Sequence, residues 1–214
     1  MFSGIIDCIG EVVEAGAVPG GMRLRVRAPG YWTGVALGAS IAIDGVCLTA
    51  TTTSGDIATF DVVAETLRRT TLGTLRAGGR VNLQKSLKAG DPIDGHFVQG
   101  HVDAIARVER VEQSPAESMW WFALDADAMR YVIPKGSIAI DGISLTVANR
   151  RDDCFSVALI PTTLERTTLG DKQVGARVNI ETDILSRTIV HHLQTIAGDD
   201  PQAFVERLRR SGQA

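Results

Sequence analysis

Apolar and polar positions in this chain alternate in short runs. Leu24 and Val26 are interleaved with Arg23, Arg25 and Arg27, the pattern of a strand with one buried face. Ser40 to Ile43 and Val46 to Ala50 flank Asp44-Gly45, a dipeptide that favours a tight hairpin because both residues tolerate positive φ. Ile57 to Val63 alternates again after the turn at Ser54-Gly55-Asp56. Three short stretches read as helical: Glu65 to Thr71, Thr162 to Thr168, and Leu124 to Val132 before Pro134. Many short strands with evenly spaced glycines predict closed or nearly closed antiparallel sheets, since closure removes exposed edges. From Asp183 the period changes. Ile184, Leu185, Val190, Leu193 and Ile196 fall near helical spacing, with Asp183 placed to cap the helix and Gly198 to stop it. Asp200-Pro201 starts a second helical stretch ending in Arg207, Arg209 and Arg210.

The pattern occurs twice. Ser40 to Ala50 matches Ser137 to Val147 at an offset of 97, with eight of eleven positions identical and Asp141-Gly142 as the second hairpin turn. Thr66 to Gly73 matches Thr163 to Gly170, and Arg80 to Leu83 matches Arg177 to Ile180, at the same offset. Gly4 to Asp7 matches Gly100 to Asp103 at an offset of 96, so one residue is gained or lost in a loop between Val12 and Ser40. A repeat this long has the size of a small domain rather than of a solenoid unit. The expected division is residues 1–88 and 89–182, joined near Lys88 to Pro92, with a helical tail over 183–214. That tail either builds an oligomer contact or covers a barrel.

Composition narrows the function classes. The net charge of −3 gives no general attraction to nucleic acid or anionic membrane. No apolar run approaches the roughly 20 residues of a membrane span, and Met1 to Gly4 does not resemble a secretory leader. Three widely spaced cysteines, Cys8, Cys47 and Cys154, suit a reducing, cytoplasmic setting. No metal-ligand spacing is present: there is no C-x-x-C, and His191 and His192 are adjacent.

A duplicated domain suggests two sites for two similar ligands, and the positions where the halves differ carry the information. Cys47 stands where the second half has Ser144, and Ile5 where it has His101. Cys47 between Val46 and Leu48 is either a small buried hydrophobe or, if exposed, a nucleophile. His101 can exchange protons near neutral pH, whereas His96 reads as structural. Ser40 and Ser144 are hydrogen-bonding residues without a triad around them. Thr49 and Thr146 are strand residues able to donate to a polar heterocycle, and Asp44 and Asp141 are turn residues. Lys135 replaces Gly38 of the first half and is either a substrate ligand or a solvated lysine.

Five segments in order, Met1 to Ile6, Gly45 to Thr49, Gly95 to Asp103, Asp141 to Val147, and Leu159 to Pro161 with Thr163 to Thr168, resemble riboflavin synthase of the alpha-chain type. The resemblance runs to about Val190. It implies an all-β fold of two similar six-stranded antiparallel Greek-key barrels plus a C-terminal α-helix that helps build a homotrimer. The N-terminal barrel of one subunit would face the C-terminal barrel of a neighbour. Each barrel would hold one 6,7-dimethyl-8-ribityllumazine, two per active site. Transfer of a four-carbon unit between them would give riboflavin and 5-amino-6-(D-ribitylamino)uracil, with no redox cofactor or metal. Association with lumazine synthase, which makes the substrate, is left open.

Carried over by position, the first pocket would comprise Gly4, Ile5 and Ile6, then Cys47, Leu48 and Thr49, then Asp61, Val62, Val63, Ala64, Glu65 and Thr66, with Phe2 closing over it. The second would comprise Gly100, His101, Val102 and Lys135, then Ser144, Leu145 and Thr146, then Leu159, Ile160, Pro161, Thr162, Thr163 and Leu164. Ser40, Cys47 and His101 would contribute to catalysis. The chain departs from the family pattern at Ser3, where threonine is usual, at Asp44, where asparagine is common, and at Ala104 to Ala106, where a glycine is expected. The alternative from another class is a lumazine-carrying fluorescent protein, which binds without turnover. A flavoprotein domain is disfavoured because the chain has no room for a second catalytic module.

Overall fold

In the computed structural model, which describes residues 1–114 and 117–197, the chain forms two closed antiparallel barrels followed by a helix. The first barrel contains β1 (Cys8–Val18), β2 (Gly21–Arg27), β3 (Ser40–Ile43), β4 (Val46–Ser54), β5 (Ile57–Val63) and β6 (Arg80–Lys85), paired around the ring as β1-β2-β5-β4-β3-β6. The second contains β7 (Ala104–Gln113), β8 (Ser118–Ala123), β9 (Ser137–Ile140), β10 (Ile143–Arg150), β11 (Cys154–Leu159) and β12 (Arg177–Thr182) in the equivalent order. Helix α1 (Ala64–Arg69) follows β5, and its counterpart α3 (Pro161–Arg166) follows β11, each continuing into a turn of 3-10 helix. Of the stretch expected to be helical before Pro134, one turn forms, α2 (Ala126–Met129), with the Asp125 carboxylate accepting the Ala128 N–H at 2.8 Å. The tail forms α4 (Ile184–Ala197). The expected stop at Gly198 and the helical stretch from Asp200 to Arg210 lie outside the described residues.

The strand register locates the one-residue difference between the halves. Arg27 pairs with Ile57, and Ala123 pairs with Cys154, so the offset is still 96 at the end of β2 and β8. It is 97 by Ser40 and Ser137, which pair with Thr49 and Thr146. The extra residue therefore sits in the connection that contains α2.

Each barrel has its own apolar filling. Leu24, Val26, Trp32, Phe60 and Leu83 lie within the first, and Trp120, Phe122, Phe155, Val157 and Ile180 within the second. Ring stacking adds order to the second filling, with Phe122 and Phe155 centroids 5.5 Å apart.

The barrels form one compact unit, Met1–Asp183, and meet through their hairpin turns. Asp44 and Asp141 both have φ of 45°, followed by Gly45 at 76° and Gly142 at 80°. These are the turn conformations anticipated from Asp-Gly. A Cβ on Gly45 would lie 2.6 Å from the Gly142 nitrogen, so the two turns touch backbone to backbone. Around them the repeat produces a reciprocal network. Asn82 donates its side-chain N–H to the Asp141 carbonyl at 3.0 Å and accepts the Thr168 N–H at 2.8 Å. Asn179 donates to the Asp44 carbonyl at 2.8 Å and accepts the Thr71 N–H at 2.8 Å. Each asparagine's backbone N–H goes to the carboxylate of its own barrel's turn, Asn82 to Asp44 at 2.8 Å and Asn179 to Asp141 at 2.7 Å.

Candidate functional site

Two short segments outside the barrels build the sites, and they are exchanged between them. The Ser3-Gly4-Ile5 segment is tied to the first barrel. The Gln84 side chain accepts the Gly4 N–H at 3.0 Å and donates to the Ser3 hydroxyl at 2.9 Å. The same segment crosses to the second barrel, where the Gly4 carbonyl accepts the Ser144 N–H at 2.7 Å. The Gln99-Gly100-His101 segment mirrors it. It is tied to β12 by Glu181, and the Gly100 carbonyl accepts the Cys47 N–H of the first barrel at 2.9 Å. Both crossings need glycine: Gly4 and Gly100 have φ of 78° and 82°, and a Cβ would lie 2.6 Å from Ser144 Cβ and 2.5 Å from Cys47 Cβ respectively.

The expected grouping is therefore corrected. Gly4 and Ile5 belong with Ser144, Leu145 and Thr146, and Gly100 and His101 belong with Cys47, Leu48 and Thr49. Sequence order placed each segment with the barrel that follows it; the hydrogen bonds place its tip on the other barrel. A cavity of about 480 Å³ shows the result directly, lined by Ile5, Asp94 and Gly95 together with Ser137, Ser144, Leu145, Thr146, Ile160 and Thr163. Its size suits a bound heterocycle of drug-like dimensions.

Buried His96 places Nδ1 2.7 Å from the hydroxyl of Ser144, which lines this cavity. Its Nε2 is buried without a hydrogen-bond partner among the described residues. Burial lowers the His96 pKa below its ordinary 6.5, with the Asp183 charge opposing the shift, so the imidazole is neutral at neutral pH. Serine and a neutral imidazole can pass a proton between them. This pair is 48 residues apart in sequence and was not anticipated.

The remaining expected residues separate into several surroundings. Phe2 has none of its surface exposed; it is packed among Ala42, Val98, Ala139 and Cys47, so it cannot act as a lid over the first pocket. Backbone pairing of Phe2 with Val98 in both directions holds it there. Ser40 is half-buried on β3 opposite Thr49, as Ser137 is opposite Thr146. Asp61, Val62 and Val63 border a separate hollow of about 310 Å³ that does not include Cys47, Leu48 or Thr49, and the Asp61 carboxylate accepts Arg23 Nε at 3.0 Å. Ala64, Glu65 and Thr66 lie in α1, where the Glu65 carboxylate pairs with Arg68 and Arg69. Ile6 and Val102 pack against the second and the first barrel's fillings respectively, again crossed. Leu159 is buried at the end of β11, and Pro161, Thr162 and Leu164 lie in α3 beside Ile160 and Thr163. Lys135 holds a φ of 65°, close to the 82° of its counterpart Gly38. Its N–H bonds the Val147 carbonyl as that of Gly38 bonds Ala50. Left-handed backbone is unfavourable for lysine by about 1–2 kcal/mol.

The lumazine binding domain family matches residues 3–85 and again 99–183, one copy per barrel. Riboflavin synthase of Mycobacterium tuberculosis is 43% identical over 219 residues, covering 99% of this chain and 99% of the relative. Riboflavin synthase of Escherichia coli is 41% identical over 198 residues, covering 92% of this chain and 93% of the relative.

The chain belongs to the riboflavin synthase family.

The fold has a solved counterpart in LumP complexed with 6,7-dimethyl-8-(1'-D-ribityl) lumazine, at a TM-score of 0.77 and 23% identity, covering 85% of this chain and 99% of that one. For a riboflavin synthase family member, the informative feature is that two matching folds carry unlike residues at equivalent positions: a thiol beside the His101 segment in one, and a hydroxyl with its buried imidazole beside the Ile5 segment in the other.

Proposed function

We propose that this chain is a transferase that joins two molecules of 6,7-dimethyl-8-ribityllumazine, moving a four-carbon unit from one to the other to give riboflavin and 5-amino-6-(D-ribitylamino)uracil. The single observation that carries the reading is the pair of equivalent but chemically unequal sites at Cys47 and Ser144. Like molecules must play unlike parts, and a duplicated fold with diverged side chains supplies both seats. Holding the two rings together replaces a bimolecular encounter with a near-intramolecular one, worth several kcal/mol.

The chemistry begins with loss of a proton from the acidic 7-methyl group of one lumazine. His101 at the first site and the Ser144–His96 pair at the second are the groups able to move protons there. Ser40, Cys47, Thr49 and Thr146 contribute hydrogen bonds to the rings. Ile160 and Thr163, which line the cavity, contribute binding, and by the repeat and the family resemblance the segments from Asp61 to Thr66 and from Leu159 to Leu164, with Lys135, contribute the remaining contacts. The two products together contain every atom of the two substrates, so no oxidant or reductant enters the balance.

The active assembly in this reading is a homotrimer in the cytoplasm, in which the first barrel of one subunit faces the second barrel of a neighbour. Exposed Ile189, Leu193 and Ile196 along α4 support it, because an exposed apolar stripe suits a contact with another copy.

Purified protein mixed with the lumazine alone should generate riboflavin absorbance, one riboflavin for every two lumazines consumed. Tight fluorescent binding with no turnover would replace this reading with that of a carrier.

A further inference from the structure

The two crossing segments are equivalent by the repeat, but the side chains that anchor them are not. Gln84 and Glu181 occupy matching positions on β6 and β12. Gln84 makes one bond to a backbone N–H and one to a hydroxyl. Glu181 accepts three successive backbone N–H groups: Gln99 at 2.6 Å on one oxygen, and Gly100 at 2.8 Å and His101 at 2.9 Å on the other. It is only 6% exposed. Consecutive N–H groups converging on one carboxylate form an anion nest, and charge-assisted bonds of this kind are roughly twice as strong as neutral ones. The Glu181 pKa is raised on balance: burial pushes it up, and the three N–H groups and the N-terminal amine only partly pull it back.

The segment held this way carries His101 and rests on Cys47. We infer that Glu181 is a positioning residue for the reaction, which fixes the His101 segment across the first barrel's site by gripping its backbone with a charge. The twin segment, carrying Ile5, is not gripped in this way. An apolar side chain tolerates a looser seat, whereas a proton-transferring one must sit within a few tenths of an ångström of its target; a misplacement of ~1 Å can cost on the order of 100-fold in rate.

The inference rests on the role given to His101 above, and the test separates the two. Glu181→Gln keeps the shape but turns an amide N–H₂ toward backbone donors. It should lower kcat by on the order of 100-fold while KM for the lumazine changes far less. Introduced into His101→Ala, the same substitution should cost almost nothing further, since two residues acting through one interaction are non-additive. Glu181→Asp, which retains the charge but is one methylene short, should behave the same way and serves if Glu181→Gln does not fold. Losses that add in the double variant, or unchanged kcat in both single variants, would overturn the positioning role. Full activity of His101→Ala would instead overturn the role given to His101.

Discussion

At the scale of single residues, the barrel contact holds two carboxyl groups where water cannot reach. Asp44 is pushed up to about 8, first by burial and then by the Asp141 charge, with Lys172 and the Asn82 N–H opposing. Asp141 is also raised, chiefly by burial, although Lys172 Nζ lies 3.1 Å from its Oδ2. Leu75 stands at the position equivalent to Lys172, so the pair has one cation between two acids. A carboxyl whose folded pKa is raised binds more protons when folded than when unfolded. Stability therefore falls as pH rises from about 4 toward about 8 and levels off above that. Asp44→Asn keeps the acceptor for Asn82 and removes the charge. It should raise Tm at pH 8 by at least about 2–4 °C and change it less at pH 5, measured by calorimetry. Equal shifts at both values would mean that Asp44 does not carry the proton.

His96 works in the opposite direction. Its lowered pKa keeps the ring neutral, so the acidic limb of kcat/KM that depends on it should fall below pH 6.5. That limb should vanish in His96→Gln, with kcat reduced. Persistence of the same limb in the variant would assign it elsewhere. The pair was invisible in the sequence because His96 and Ser144 meet only when the segment after the linker folds back on β10. Phe2 was misplaced for a related reason: its partners Ala42, Val98 and Ala139 come from both barrels, and sequence proximity points only to the first.

At the scale of elements, alternation marked β2 and β5 well, since each has one face inward and one outward, whereas β3 and β9 are buried on both faces and were legible through their Asp-Gly turns instead. It marked β1 and β7 poorly. Both are long, and the register shifts between Val12 and Glu14 and between Val108 and Arg110, which breaks the period of two that a pattern search follows. The Asp-Gly hairpins were legible because few dipeptides accept positive φ twice. The exchange of the Gly4 and Gly100 segments was not, as it depends on where a backbone carbonyl lands. Gly100→Ala tests it. The new methyl would sit 2.5 Å from Cys47 Cβ, at a φ of 82° that alanine disfavours by about 1–2 kcal/mol. Activity should fall by more than tenfold with the β-sheet circular dichroism retained. Wild-type turnover would show that the segment need not rest on Cys47.

At the scale of the whole molecule, the repeat itself was the most legible feature, and the two closed barrels follow from it. In the proposed homotrimer the contact would fall on α4, whose exposed apolar residues recur at helical spacing. If that reading holds, the protein should sediment as a trimer, and Ile189→Asp combined with Leu193→Asp should convert it to monomers and abolish turnover while the fold persists. A trimer that survives both charges would move the contact elsewhere on the subunit.

The crossed segments have a consequence for any attempt to cut the gene in two. A fragment ending near Leu87 carries the strap for its absent neighbour and lacks its own; the remainder is incomplete in the complementary sense. Under the proposed sites, neither piece alone would own a finished seat. Supplied as separate polypeptides that associate through the Asn82 and Asn179 network, they would regain synthesis only together, and a lone fragment that turned over substrate would mean the straps are dispensable.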